Sequence, residues 1–174
     1  MKVVLYMATS ADGLVAKKDG DSDWVSDVDA AVFDKKIKEL GCIVVGRTTF
    51  DQYYGDLYPV EGVTNIVLTT DDARKSEKES VVFVTSARDA LEIAKKKGHQ
   101  EILLIGGGTV NGMFLKEGLV DEMILSVHPK VLGEGIRLFE GGEVDVDLEL
   151  KSVKQLGEDL VQLRYKVKKA SRLS

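Results

Sequence analysis

The amino-acid sequence predicts one α/β domain with a mostly parallel sheet, helices on both faces and an antiparallel edge at its C-terminal end. Two observations lead to this prediction. Between residues 2 and 118, five apolar segments of strand character alternate with helical segments, which is the pattern of parallel strands joined by helices. Beyond Gly118 the segments become mainly strands, which favours antiparallel pairing there. With no internal repeat or linker, we expect the domain to span residues 1–167 and a polar, frayed tail to follow at 168–174.

The beginning of the chain predicts a strand, a loop and a helix. Residues 2–8 form an apolar run without helical period, which is typical of a buried strand, and the Gly- and Asp-rich stretch 9–25 predicts a loop. Ser26 is expected to be a helix N-cap, because Asp29 follows three residues later and apolar residues then recur at helical spacing. Gly41 predicts the end of that helix in a left-handed conformation.

The later elements follow from the same signals. Short apolar and often β-branched runs predict further strands, and a glycine ends each of the two later helical segments. The charge run 71–79 predicts a solvated loop. The remaining predicted strands are 42–46, 65–69, 81–84, 102–105, 122–128, 148–156 and 160–167, the last two joined by a hairpin turn at 157–159, and the remaining predicted helices are 47–53, one ending at Gly98 and one ending at Gly118.

Composition and charge exclude several classes of protein. The 174 residues include 24 Lys and Arg against 29 Asp and Glu, and the net charge of −5 argues against nucleic acid or an anionic membrane as the main partner. The single cysteine, Cys42, excludes an internal disulfide, and with only two histidines we expect no metal centre. The apolar run at the N-terminus is too short to span a membrane and lacks a small-residue cleavage site, so we expect a cytoplasmic protein.

Two glycine turns follow predicted strands, at the sheet edge where open α/β sheets bind ligands. Gly46 and Arg47 come at the end of one strand, and three consecutive glycines at 106–108 follow another. Backbone amides at a helix start, with no Cβ in the way, are suited to phosphate, and two such turns suit a dinucleotide. Each turn also has a purely structural explanation, a tight turn with a solvated arginine for the first and close helix–strand packing for the second. Neither turn matches the G-x-G-x-x-G fingerprint or the Walker A pattern.

Six motifs, in this order and at these spacings, resemble those of one enzyme family. They are ATSADGLVA at 8–16, VGRTTF at 45–50, NIVLTT at 65–70, LIGGGTV at 104–110, GLVDE at 118–122 and PKVLGEG at 129–135. From residue 1 to about 167 the chain resembles the dihydrofolate reductase superfamily, and most closely its branch with the RibD C-terminal domain, the reductase domain of the bifunctional riboflavin-biosynthesis enzyme. The resemblance implies a dihydrofolate reductase-like three-layer sandwich, a small-molecule substrate and a homodimer, for which the segment 122–135 is the candidate contact.

The resemblance also implies NADPH as the cofactor, because the family uses it. Arg47 with hydroxyl side chains nearby independently favours NADPH over NADH, since no acidic residue for a ribose hydroxyl is evident at the same place. By the match of motifs, Gly46, Arg47, Thr48 and Thr49 would hold the cofactor phosphates, Thr69 and Thr70 the 2′-phosphate together with Arg47, and Gly106, Gly107, Gly108, Thr109 and Val110 the pyrophosphate, while Ala8 and residues 14–16, Val15 among them, would flank the nicotinamide.

Asp29 is the candidate catalytic residue. Its position after Trp24 and before Phe33 resembles the helix that carries the substrate-facing carboxylate of dihydrofolate reductases, where a carboxyl group at the floor of an apolar cleft helps to protonate a ring nitrogen. Asp29 is equally explained as the partner of Ser26 in a capping box. Trp24, Phe33 and Asp12 are the candidate substrate-binding residues, although aromatic residues at helical spacing also fit a core.

Departures from the family patterns leave the substrate open. Residues 62–64, Gly-Val-Thr, replace the arginine with which dihydrofolate reductases clamp folate. Ile105 stands where many riboflavin-type reductases have an acidic residue, and Asn111 stands where dihydrofolate reductases have a tyrosine near the nicotinamide. We expect an NADPH-dependent reductase that transfers hydride to a C=N or C=O group of a small heterocyclic or sugar-linked substrate. The resemblance implies 5-amino-6-(5-phosphoribosylamino)uracil reduction as the reaction. The alternatives are dihydrofolate reduction and a nucleotide-binding protein without turnover.

Overall fold

An eight-stranded sheet forms the centre of the computed structural model, which describes residues 1–169. The strands and helices follow the predicted alternation, and most of their limits lie within one or two residues of those expected. The elements are β1 Lys2–Thr9, β2 Leu14–Ala16, α1 Asp27–Leu40, β3 Cys42–Gly46, α2 Arg47–Gln52, β4 Thr64–Leu68, β5 Val81–Val84, α3 Ala87–Lys96, β6 Glu101–Leu104, α4 Gly108–Lys116, β7 Glu122–Val127, β8 Ile136–Arg137, β9 Leu148–Gln155 and β10 Val161–Val167.

The sheet has the strand order β5-β4-β3-β6-β1-β7-β10-β9. Strand β1 lies between β6 and β7 and is parallel to both, so it is covered on both faces and contains an apolar run rather than an alternating pattern. Strand β10 is antiparallel to β7 and to β9, and β9 with β10 forms the predicted C-terminal hairpin. The prediction of a mostly parallel sheet with an antiparallel edge is confirmed.

Helices cover both faces of this sheet. Val3 and Leu5 of β1 pack in one core cluster with α3 and α4, whereas Val4 and Tyr6 pack in a second cluster with α1 and α2. The alternation follows from the pleat of the strand, in which successive side chains point to opposite faces. The protein is therefore a three-layer sandwich, as the family resemblance implies.

The limits of α1 are set by local chemistry that the sequence predicts. The Ser26 side chain accepts a hydrogen bond from the Asp29 amide, which satisfies one of the free N–H groups of the first turn. At the other end Gly41 has φ 67° and closes the helix with a bond from its N–H to the Ile37 carbonyl.

A second, two-stranded sheet was not predicted. Strand β2 lies inside the stretch 9–25, which the sequence predicts as a loop, and it pairs with β8. Both strands are too short for a period of two residues to be recognised, and they are far apart in the chain. Gly135, just before β8, allows the close approach, because a Cβ there would collide with the Ala16 carbonyl oxygen.

The first part of the candidate dimer segment belongs to the central sheet. Residues 122–127 form β7, an interior strand, so burial accounts for their apolar side chains, and the homodimer stays a prediction.

The first residues of the predicted tail make hydrogen bonds to the domain. Lys168 donates its N–H to the Asp147 carbonyl, and the Lys169 ammonium donates to the Gly118 and Val120 carbonyls. The remaining tail residues, 170–174, lie outside the described part of the chain. Within residues 1–169 no helix has the length and apolar character needed to cross a membrane.

Candidate functional site

The two predicted glycine turns lie side by side at the carboxyl ends of β3 and β6. These strands are neighbours in the sheet, and the Gly46 N–H donates a hydrogen bond of 2.8 Å to the Gly106 carbonyl. Helix α2 begins directly after the first turn and α4 directly after the second. The fold therefore brings together two segments that are about sixty residues apart in the sequence, as a site for one extended ligand requires.

The glycines are needed for this close approach. A Cβ on Gly46 would lie 3.0 Å from Cγ2 of Val110 and 3.6 Å from the Gly107 nitrogen, and a Cβ on Gly107 would lie 3.4 Å from Oγ1 of Thr49. Gly106 has φ 95°, in the left-handed region that favours glycine. Close packing thus accounts for the glycines, and it lets the main chains of the two turns meet.

The helices at this edge begin without a side-chain cap. Ser26 and Ser86 each accept a hydrogen bond from an amide of their helix, α1 and α3. In contrast, α2 and α4 have Gly46 and Gly107 as N-cap residues, and neither supplies a side-chain acceptor. The first amides of α4 therefore keep their donor capacity for an external acceptor, and the dipole of that helix favours an anion.

Two arginines meet beside the ends of β3 and β4. Arg47 lies 3.3 Å from the Asp51 carboxylate, and Arg74 donates two hydrogen bonds of 2.8 and 2.5 Å to the same carboxylate. The Arg74 guanidinium also lies 4.4 Å from the centre of the Phe83 ring. The hydrogen bond from Arg74 lowers the pKa of Asp51, so the group is one carboxylate between two cations. Thr69, directly after β4, accepts a hydrogen bond from the Asp71 amide.

Sequence reasoning missed Arg74, because it lies in the charge run 71–79 that predicts a solvated loop. The segment is indeed an irregular loop, yet the Arg74 side chain is fixed by Asp51 and Phe83. The available signal was a basic residue shortly after Thr69 and Thr70, at the end of a buried strand. Thr48 and Thr70 are exposed at the same edge of the sheet.

Asp29 belongs to a second group of polar side chains, which lies against β1. Its side chain is buried, with 1% of the residue's surface exposed, and Oδ1 accepts a hydrogen bond of 2.6 Å from the Tyr6 hydroxyl. Only half of the predicted capping box forms, because the Ser26 N–H donates to Nε2 of His128 and not to the Asp29 carboxylate. The cap holds the backbone N–H of Asp29, whereas its carboxylate is bound by Tyr6.

Tyr6, Ser126 and Gln162 complete this group, and sequence reasoning missed all three. The amide nitrogen of Gln162 donates to the Tyr6 hydroxyl at 3.1 Å and to the Ser126 hydroxyl at 3.2 Å. Burial, and secondly the hydrogen bond to Asp29, raises the pKa of Tyr6, so its hydroxyl stays protonated. Tyr6 and Ser126 lie in strands that look apolar in sequence, and only the sheet register shows that they share a face.

The aromatic residues proposed for the substrate flank these polar groups. The Phe33 ring lies 5.1 Å from the Tyr6 ring, and the Trp24 ring meets the His128 ring edge to face at 5.3 Å. Nε1 of Trp24 is buried and has no hydrogen-bond partner among the described residues. Trp24, Asp29 and Phe33 are thus brought together with Tyr6 and His128, while their substrate contacts remain predictions.

Asp12 has three hydrogen-bond partners within the protein, which the sequence motif did not reveal. Its carboxylate accepts hydrogen bonds from the Ser10 hydroxyl at 2.6 Å, the Gly133 amide at 2.7 Å and the Leu132 amide at 3.2 Å. The Ser10 bond and then the two amide bonds lower the pKa of Asp12 to about 2. Asp12 therefore ties the loop before β2 to the segment before β8, and its predicted substrate contact remains untested.

The residues predicted beside the nicotinamide lie on β1 and β2. Ala8 is half-buried on β1, and Val15 is buried on β2. Behind the triple-glycine turn, Asn111 donates from its amide nitrogen to the Leu138 carbonyl, and its buried Oδ1 has no partner among the described residues. Within residues 1–169, no three His, Cys, Asp or Glu side chains lie close enough together to hold a metal ion.

Comparison with known proteins identifies the family. A family model for the RibD C-terminal domain matches residues 1–162. The Bacillus subtilis protein YwjB, itself uncharacterised, is 32% identical over 171 residues, which is 94% of this chain and 97% of that protein. A 2,5-diamino-6-ribosylamino-4(3H)-pyrimidinone 5′-phosphate reductase from Methanothermobacter thermautotrophicus is 29% identical over 153 residues, covering 81% of this chain and 70% of that enzyme.

The fold agrees with the sequence match. A crystal structure of a protein from Shewanella sp. PV-4, named as a riboflavin-biosynthesis protein, superposes with a TM-score of 0.79 at 27% sequence identity and covers 97% of this chain and 100% of that one. The match extends over both turns and the Asp29 group, which lie within residues 1–162. This protein belongs to the RibD C-terminal domain family.

Proposed function

We propose that this protein is an NADPH-dependent reductase that transfers hydride to a phosphoribosylamino-pyrimidine of the 5-amino-6-(5-phosphoribosylamino)uracil type. The observation that carries the proposal is the pair of glycine turns joined by the Gly46–Gly106 hydrogen bond, at the same sheet edge as a buried carboxylate. The Methanothermobacter relative is named as a reductase of a ribosylamino-pyrimidine phosphate, which supports a substrate of this class.

The residues at the two turns fit a dinucleotide phosphate. The uncapped amides at the start of α4 would hold the pyrophosphate, since they are donors without a side-chain acceptor. Arg47 and Arg74 would hold the 2′-phosphate, with the Thr69 and Thr70 hydroxyls beside it. Asp51 holds the Arg74 guanidinium with two hydrogen bonds, so little freedom of that side chain remains to be lost when the phosphate binds.

The nicotinamide would lie beside Ala8 and Val15, near the buried Oδ1 of Asn111. That oxygen fits a carboxamide N–H donor, because an acceptor buried without a partner is costly. When bound, NADPH supplies the hydride. The protein's own task is to orient the two reactants, exclude water and provide a proton.

The proton source in this proposal is Asp29. After a hydride reaches the carbon of a C=N or C=O group, the electron pair left on nitrogen or oxygen must be protonated. Tyr6 occupies Oδ1 of Asp29, and Oδ2 has no hydrogen-bond donor among the described residues, so Oδ2 is the oxygen that would carry the proton to the substrate. Trp24 and Phe33 would line the pyrimidine side, and the buried Nε1 of Trp24 offers it a donor.

Folate is a poorer fit than the pyrimidine. At the place of the folate-clamping arginine, Val63 is buried and the Thr64 hydroxyl is bound to His99, so neither Val63 nor Thr64 offers a cation for a glutamate tail. The mildly acidic chain with a buried Cys42 is compatible with the reduced conditions of a cytoplasm, which is the location that we propose.

The test is oxidation of NADPH by the purified protein with the phosphoribosylamino-pyrimidine, with dihydrofolate, or with neither. We expect turnover that depends on the pyrimidine. Turnover should be slower with NADH, because NADH lacks the 2′-phosphate that the two arginines would bind. Turnover with dihydrofolate alone would establish the alternative enzyme. Tight NADPH binding without turnover of either substrate would establish a nucleotide-binding protein and would refute the proposal.

A further inference from the structure

His128 is a buried side chain that no step of the proposed reaction uses. It lies directly after β7, with 3% of its surface exposed, and both of its ring nitrogens are engaged. Nδ1 lies 2.9 Å from the Ser126 carbonyl oxygen, and Nε2 lies 3.1 Å from the Ser26 nitrogen. A carbonyl can only accept and a backbone N–H can only donate. Nδ1 therefore carries the proton and Nε2 is the acceptor, which fixes the tautomer.

The partners of this imidazole lie at the beginning of α1. Ser26 is the N-cap residue whose hydroxyl accepts from the Asp29 amide, so the bond from His128 holds the residue that caps Asp29. The same ring packs edge to face against Trp24, two residues before Ser26. One buried ring thus fixes the chain from Trp24 to Asp29 against the end of β7.

The Asp29 carboxylate is consequently held from two sides. Tyr6 binds its Oδ1 from β1, and the Ser26–His128 pair holds its backbone from β7. Strands β1 and β7 are adjacent and parallel, with Tyr6 opposite Ile124 and Ala8 opposite Ser126, so both supports belong to one rigid part of the sheet. A small rotation at the start of α1 would move the carboxylate away from Tyr6, whereas the glycine turns follow β3 and β6, to which neither Tyr6 nor His128 belongs.

We propose that His128 is a positioning residue: as a neutral Nδ1–H tautomer it holds Ser26, and through Ser26 the first turn of α1, so that Asp29 stays in line with the substrate. This inference rests on the proposed function for its catalytic consequence. It concerns the chain's own residues, and its structural part can be measured without substrate or cofactor.

The experiment compares His128→Phe, which keeps a ring against Trp24 and loses both hydrogen bonds, with His128→Gln, whose amide group can supply one donor and one acceptor. The matched control is His99→Phe, because His99 bonds Thr64 at the opposite edge of the sheet. For each variant we would measure kcat and KM for the pyrimidine, the NADPH dissociation constant, and hydrogen exchange at the Ser26 and Asp29 amides.

For His128→Phe we expect kcat to fall about 100-fold, since displacing a reacting group by a fraction of its working distance has effects of that order. The NADPH dissociation constant should stay at the wild-type value, and exchange at the Ser26 and Asp29 amides should become faster. His128→Gln should recover much of kcat and of the protection, and His99→Phe should match the wild type in all three measurements.

Two outcomes would overturn the inference. One is wild-type kcat or wild-type protection of the Ser26 amide in His128→Phe. The other is a loss in His128→Phe that extends equally to NADPH binding, because that would indicate general damage to the fold. If the wild-type protein does not turn over the pyrimidine, the proposed function fails, and the exchange measurement alone still decides whether His128 holds Ser26.

Discussion

At the scale of single residues, Asp29 shows what sequence can and cannot provide. The motif S-x-x-D predicts a cap, and the family pattern predicts a pocket carboxylate. In the structure the backbone N–H of Asp29 is bound by Ser26 and its carboxylate by Tyr6, while the catalytic role of that carboxylate stays a prediction. Tyr6 and Gln162 could not be foreseen, because they are 156 residues apart and only strand pairing brings them together.

The first prediction concerns this carboxylate. Asp29→Asn keeps the shape of the side chain and the backbone cap but removes the proton that the substrate needs. We expect kcat for the pyrimidine to fall by about 100-fold or more, the usual contribution of a positioned acid. NADPH affinity should be unchanged. Steady-state kinetics and cofactor titration measure the two quantities.

Asp34→Asn is the matched control for this substitution. Asp34 is an exposed carboxylate on the same helix and pairs with Lys38, so its loss should leave turnover unaltered. Full turnover by Asp29→Asn would eliminate Asp29 as the proton source.

At the scale of elements, the limits of strands and helices were predictable at the two glycine turns. The geometry of the site that these turns form together was not. Gly46 and the glycines at 106–108 mark the ends of β3 and β6 in the sequence. The sequence does not show that these two strands are adjacent, because β1 and β4 are also parallel strands with which either could pair. Their pairing places Gly46 against Val110 and makes one surface from two turns.

The second prediction concerns that contact. Gly46 has φ −73°, which any residue adopts, so Gly46→Ala introduces only a Cβ, 3.0 Å from the Val110 side chain. We expect a loss of about 1 kcal/mol of unfolding free energy from the overpacking. We also expect weaker NADPH binding, because the start of α4 must move. Chemical denaturation and cofactor titration measure the two effects.

Two further variants separate the cause from general damage. Gly46→Ala combined with Val110→Ala restores the space and should recover part of the affinity. Gly157→Ala, at a position with nothing within 4 Å, should change neither quantity. If Gly46→Ala binds NADPH like the wild type, the junction of the two turns is not part of the cofactor site.

At the scale of the whole molecule, the sequence was sufficient for the fold class and for most elements, because parallel strands and amphipathic helices leave strong local patterns. It was insufficient where long-range pairing decides the outcome, as with β2 and β8, or where a charged loop folds back, as with Arg74. The sequence was also insufficient for the predicted homodimer, because part of its candidate contact segment forms β7, an interior strand. Light scattering in solution would test the homodimer.

The proposed reaction is hydride transfer from a nicotinamide cofactor to a pyrimidine substrate. The most direct measurement is mass spectrometry of the product formed with NADPH in which both C4 hydrogens of the dihydronicotinamide are deuterium. We predict that the reduced phosphoribosylamino-pyrimidine gains one carbon-bound deuterium and that the cofactor is oxidised in equal amount. A product without deuterium, or an unchanged pyrimidine with unoxidised cofactor, would contradict the account.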